Sequence, residues 1–135
     1  MKRKKKSERK LLVDYLDGIW RWATKEILGR ICWWCGSTER IQSDHIQNRH
    51  KYPTRWRIEN CAILCFRCHF YRKKQNPAEW AQLVINRIGQ DKWEELITES
   101  NRQDKTDLEA AKAYLEEVKR GLKEKNDENE DGKPS

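Results

Sequence analysis

Apolar residues recur over the first thirty positions at the spacing of a helix. Leu11, Leu12, Tyr15, Leu16, Ile19, Ala23 and Ile27 fall three and four apart, which predicts an amphipathic helix from about Ser7 to Leu28. Gly29 stands where it would stop, and Gly18 weakens it without breaking it. Between residues 30 and 75 the long period disappears. Short apolar runs there predict two strands, near Ile41–Ile46 and Ala62–Leu64, then a helix from about Phe66 to Lys74. Helical spacing returns at "NPAEW", where Asn76 is placed as N-cap, Pro77 as first helical residue and Glu79 as partner in a capping box. Trp80, Leu83, Val84, Arg87 and Ile88 then share a face, and Gly89 ends it. Trp93, Leu96 and Ile97 mark a shorter helix near Asp91–Glu99. In "TDLE", Thr106 and Glu109 offer a second capping box. Beyond it Leu108, Ala111, Leu115, Val118 and Leu122 form a narrow seam of coiled-coil type. Such a seam can pair two copies as a homodimer through a 106–125 helix, dock a partner helix, or pack onto the chain's own N-terminal helix.

The pattern therefore predicts a small α+β fold in five stretches. These are a basic disordered arm (1–10), an N-terminal helix (11–30), a core (31–75), a helical extension (76–125) and a disordered acidic tail (126–135). Composition sharpens the picture. With 38% charged and 36% hydrophobic residues in 135, little material is left for a large core, and small domains of this kind need a staple. Five cysteines, an odd number, argue against a disulfide framework and for metal ligation in a reducing cytoplasm. No apolar run is long enough to span a membrane, and nothing resembles a signal peptide. Residues 1–90 carry 20 Lys/Arg against 8 Asp/Glu, whereas residues 91–135 carry 9 against 14. The basic portion suits a polyanion such as nucleic acid, although a solvated basic surface has the same composition.

The staple is visible in "CWWC" and "CFRC". Cys32 and Cys35 form one CxxC pair and Cys65 and Cys68 another, and two such knuckles close a four-cysteine structural zinc site. Cys61 is left over and reads as a small buried residue on a strand. Trp33 and Trp34 read as packing around the knuckle, with base stacking as the alternative. Between the knuckles lie Asp44 and His45, which strand alternation sends to opposite faces unless a bulge or the strand's end re-aims one.

The motifs "CWWCG", "DHI" and "NCAILCFRCH", with His45, Asn60 and His69 in that order inside a four-cysteine frame, resemble the HNH endonuclease family. The resemblance implies a ββα-metal core in which Asp44 and His69 hold a catalytic Mg²⁺ or Mn²⁺ ion. It also implies that His45 acts as general base and that Asn60 holds the His45 segment across the strands. Where some members place another metal-binding histidine one helical turn beyond His69, this chain has Lys73. His50 is then a candidate third ligand or a phosphate contact. A degenerate domain that binds without cutting carries the same motifs. The stretch "HKYPTRWRIEN" and the helices after it are similar to the phage recombination family NinG, also called Rap, which implies action on branched DNA.

The expected partner is DNA. Arg49, Lys51, Arg55 and Arg57, interleaved with Tyr52 and Trp56, and Arg67, Arg72, Lys73 and Lys74 on the metal helix are the expected nucleic-acid contacts. Core packing is the alternative for Trp56. Nothing resembles a base-reading helix, so low sequence specificity is expected.

Overall fold

The computed structural model describes residues 5–131 of the chain, and side chains as far as residue 128. Its first element is helix α1 (Glu8–Leu28). The Ser7 hydroxyl accepts from the Lys10 amide, and Glu8 sits in the positive first turn. This cap starts the helix inside the stretch expected to be a disordered arm; residues 1–4 of that arm lie outside the described residues. Gly29, at φ 88°, ends α1 in a conformation that glycine adopts without strain.

Strand β1 (Ile41–His45) pairs antiparallel with strand β2 (Cys61–Cys65), in a register that sets Asp44 opposite Ala62 and His45 opposite Cys61. Between them lies a single helical turn, α2 (Tyr52–Arg55), which the apolar pattern did not predict because four residues show no period. All five residues of β2 are buried, because the strand separates two apolar clusters. Cys61 and Ile63 face Val13, Leu16, Ile19 and Trp20 of α1, whereas Ala62 and Leu64 face the cysteine knuckles and later helices. Burial on both sides explains the continuous apolar run "CAILC".

Helix resumes at Phe66, widens into a π-helical turn (Cys68–Arg72), and closes as α3 (Lys73–Gln75). The wide turn is marked by the Lys73 amide donating to the Cys68 carbonyl. Helix α4 (Pro77–Ile88) follows after one residue. Asn76 holds the N-cap position and Pro77 opens the helix as expected, but the Asn76 side chain makes no capping bond. Its amide donates instead to the Arg72 carbonyl at 3.1 Å, because a one-residue link leaves it finishing the preceding helix. Helix α5 (Gln90–Ser100) packs Leu96 under Trp80 and Val84.

Helix α6 (Leu108–Asp131) is capped by Asp107 rather than Thr106: the carboxylate takes the amides of Glu109 and Ala110. It continues through the first six residues of the expected disordered tail, since after Gly121 the sequence holds no further glycine or proline until Gly132. Residues 132–135 of that tail lie outside the described residues. Leu115 is fully buried against α1, with Leu108 and Ala111 beside it, and the Tyr15 hydroxyl donates to Glu116 at 3.0 Å. The first half of the apolar seam, Leu108 to Leu115, thus packs within the chain, whereas Val118 and Leu122 lie outside that cluster and are half-buried. Among the described residues no helix is long and apolar enough to cross a membrane.

Candidate metal centre and active site

The thiols of Cys32, Cys35, Cys65 and Cys68 all lie within 4.8 Å of one another, with Cys35 and Cys65 Sγ 3.6 Å apart. A tetrahedron of sulfurs around an ion at about 2.3 Å has edges of about 3.8 Å, so the spacing suits zinc. The backbone builds each knuckle. Gly36, at φ 78°, lets its amide turn back to the Cys32 carbonyl, and the Cys68 amide points at Cys65 Sγ. Burial and the surrounding cysteines push the Cys68 thiol well above its ordinary value. Four thiolates cannot share this space without a cation, and the cluster suggests zinc. Cys61 stands apart on β2, where burial pushes its thiol up to about 12. Trp33 and Trp34 are half-buried around the knuckle, under the guanidinium groups of Arg87 and Arg72 respectively.

Asp44 is almost wholly buried on the zinc-side face of β1, and three groups converge on its carboxylate. His69 Nε2 lies 3.1 Å from Oδ1, the Trp80 indole donates to Oδ2 at 3.1 Å, and Lys73 Nζ reaches both oxygens at 2.8 and 3.0 Å. Two ligands 3.1 Å apart match adjacent positions on an octahedral ion with bonds near 2.1 Å, whose edge is about 3.0 Å. Asp44 and His69 therefore fit a divalent ion, but with the Lys73 ammonium at the same carboxylate. Lys73 also lies over the Trp80 ring, 4.2 Å from its centroid. Nδ1 of His69 is buried without a partner among the described residues. His50 is exposed and lines a different hollow, near Asn101 and Thr106.

His45 points to the other face of β1. Its ring stacks on Trp20, with centroids 4.0 Å apart and planes 7° from parallel. Its Nε2 lies 3.0 Å from the Arg55 carbonyl. A carbonyl only accepts, so Nε2 carries the proton and Nδ1 the lone pair. Burial lowers the imidazole to about 4, against the pull of that carbonyl, so the ring is neutral at neutral pH. Asn60, fully buried, accepts from the Gln47 amide at 2.7 Å and donates to the Gln47 carbonyl at 3.1 Å, which pins the chain two residues beyond His45.

Both faces open on one cleft of about 380 Å³, lined by Asp44, His45, His69 and Lys73. Alternation separates the two side chains, and the strand's end brings them to a common space. Arg21 and Arg49 are exposed at this cleft.

The expected DNA contacts divide. Arg49, Lys51, Arg67 and Lys74 are exposed, and Arg72 is half-buried against Trp34. Arg57 is partly offset by Glu59 and Glu99. Arg55 is placed otherwise: it is 4% exposed, and its guanidinium bonds both Asp17 oxygens at 3.1 and 2.7 Å. It is committed inside the protein because a charge this deeply buried needs a partner. Trp56 is likewise buried, and its indole donates to Asp17 at 2.8 Å.

Sequence reasoning missed Asp17, Trp20, Arg21 and the role of Trp80. One signal was present: Val13, Leu16, Asp17 and Trp20 share a helical face, so Asp17 is an acid inside an apolar stripe.

A family model described as HNH endonuclease matches residues 31–75, one third of the chain. No curated protein and no solved structure matches. The match gives this region a nuclease-type or nucleic-acid-binding character and covers both knuckles, Asp44, His45, Asn60 and His69. It leaves α1, α4, α5 and α6 outside.

Proposed function

We propose that the protein is a metal-dependent endonuclease that hydrolyses DNA phosphodiester bonds in the cleft around Asp44, His45 and His69. The observation that carries the reading is the meeting, in one cleft, of the Asp44–His69 pair with an imidazole whose free nitrogen is set by its neighbours. Asp44 and His69 would hold Mg²⁺ or Mn²⁺. Such an ion, when bound, neutralises charge on the scissile phosphate and on the departing 3′ oxygen. His45 Nδ1 accepts a proton from the attacking water, whose oxygen forms the new bond to phosphorus. The bond to the 3′ oxygen breaks, leaving 5′-phosphate and 3′-hydroxyl ends. Asn60 holds the strand end that carries His45. The zinc is structural, because four cysteines leave no open position.

Arg21, Arg49, Lys51, Arg67, Arg72 and Lys74 attract the DNA backbone, and sequence specificity is low. In its finer form the substrate is branched DNA, including Holliday-type junctions of phage recombination, in a host cytoplasm whose reducing state suits five free cysteines. Phe70, 48% exposed at the cleft, suits stacking on unpaired bases.

A second reading has one observation in its favour. The Lys73 ammonium sits on both oxygens of Asp44, which suits a zinc-built module that binds DNA without cutting. Purified protein with Mg²⁺ or Mn²⁺, given linear duplex, flap and four-way junction DNA, separates the readings. Cutting that His45→Ala loses, with a drop of about 10²–10⁴-fold, supports the nuclease. Preference for the junction supports the finer form. Binding without cutting supports the module.

A further inference from the structure

Two residues of α1, three positions apart, reach both the His45 ring and the 55–57 segment whose carbonyl it meets. Trp20 lies flat on the imidazole, and its own indole donates to the Arg57 carbonyl at 2.8 Å. Asp17 takes two hydrogen bonds from the Arg55 guanidinium and a third from the Trp56 indole. Arg55 in turn supplies the carbonyl that receives Nε2–H of His45. Residues 55, 56 and 57 are thus each tied to α1. They belong to or follow a helix of four residues, too short to hold itself in place. The stack excludes solvent from one ring face and fixes its plane, and the tied carbonyl fixes the tautomer.

We propose that Trp20 and Asp17 are positioning residues for His45, and that α1 is therefore part of the active site although it lies outside the stretch that matches the nuclease family. The inference rests on His45 as proton acceptor, but its geometric half can be read without any catalysis. Val13, Leu16 and Ile19 bury the same helix against β2 and α6, so α1 has a packing role in any case. Beyond that packing, Trp20 and Asp17 set the ring's orientation and tautomer.

The test uses the full-length, zinc-loaded protein and Trp20→Leu, Trp20→Phe and Asp17→Asn variants. Long-range ¹H–¹⁵N spectra report the His45 tautomer, and single-turnover cleavage with Mn²⁺ is measured beside DNA affinity. In the unsubstituted protein His45 shows one tautomer, protonated at Nε2. Trp20→Leu mixes the tautomers and slows cleavage about tenfold to a hundredfold with unchanged DNA affinity, and Trp20→Phe, which keeps a ring to stack, recovers most of the rate. A folded Trp20→Leu protein with a single Nε2–H tautomer and an unchanged rate overturns the role of Trp20. Should Trp20→Leu fail to fold, Trp20→Phe and Asp17→Asn carry the test. Asp17→Asn is expected to mix the tautomers, and an unaltered His45 spectrum in it removes Asp17 from the clamp. If His45→Ala cuts as well as the unsubstituted protein, the base assignment fails alone, and the tautomer spectra still decide the clamp.

Discussion

The two faces of the β1–β2 hairpin carry the neighbouring candidate site residues Asp44 and His45 and are built in opposite ways. On the Asp44 face, the partners His69, Lys73 and Trp80 follow within 36 residues, and two CxxC knuckles close the apolar cluster beneath them. On the His45 face, the partners are Trp20 and Asp17 of α1 and the backbone at Arg55, with α6 closing the cluster from the far end of the chain. One face is closed by a four-cysteine cluster written in a motif. The other is held by packing between distant helices and one buried ion pair. An arrangement that depends on a metal has recognisable ligand spacing, whereas one that depends on packing can be met by many sequences.

The largest effect on this contrast is expected from removing zinc. Chelation, or Cys68→Ser, should cost a large part of the roughly 10–16 kcal/mol that structural zinc contributes and unfold the Asp44 face first. Zinc content and far-UV circular dichroism read this together, and a chelated protein with an unchanged spectrum would mean that α1 and α6 suffice.

On the other face, Asp17→Ala leaves the buried Arg55 charge unpaired and should cost about 3–5 kcal/mol in urea unfolding, with zinc still bound. The same residue predicts an acid limb. Burial pushes the Asp17 carboxyl up, but the bonds from Arg55 and Trp56 outweigh it and hold it below its ordinary value. Its contribution is therefore complete above the unfolded value, near 3.9, and is lost as pH falls through the lower folded one. Stability against pH should decline less steeply there in Asp17→Ala than in the unsubstituted protein.

Leu115→Ala asks how far α6 supports the His45 face. A cavity at this fully buried position should cost about 2–5 kcal/mol, and sedimentation should show the same mass before and after. A change of mass would return the seam to self-association. The smallest structural effect and the sharpest functional one belong to Lys73→Met. Removing the ammonium from Asp44 should leave the melting curve nearly unchanged and tighten Mn²⁺ binding about tenfold or more, measured by electron paramagnetic resonance without DNA. Weaker binding in Lys73→Met would mean that the lysine supports the ion site rather than competing for it.

Much of the Asp44 face was legible. The knuckle cysteines and the two strands follow from spacing and alternation. On the other face, the burial of Cys61 follows from its place on a strand. The helix caps were less so, since Asn76 and Thr106 carry suitable side chains but Arg72 and Asp107 decide where those helices end and begin. Arg55 read as a phosphate contact because its charge is visible in sequence and the Asp17 that neutralises it, 38 residues away, is not recognisable as its partner.

By itself the sequence determined the four cysteines of the cluster, the order of the main elements, and the opposite facing of Asp44 and His45. Thiolate spacing, helical period and strand alternation are local rules, and each acts within a few residues. Only the tertiary structure decided that the strand's end opens both faces on one cleft, that Lys73 sits on Asp44, and that Trp20 of α1 stacks on His45. Those outcomes depend on which distant groups share a small volume, where burial turns a charge or an imidazole nitrogen toward the one partner within reach.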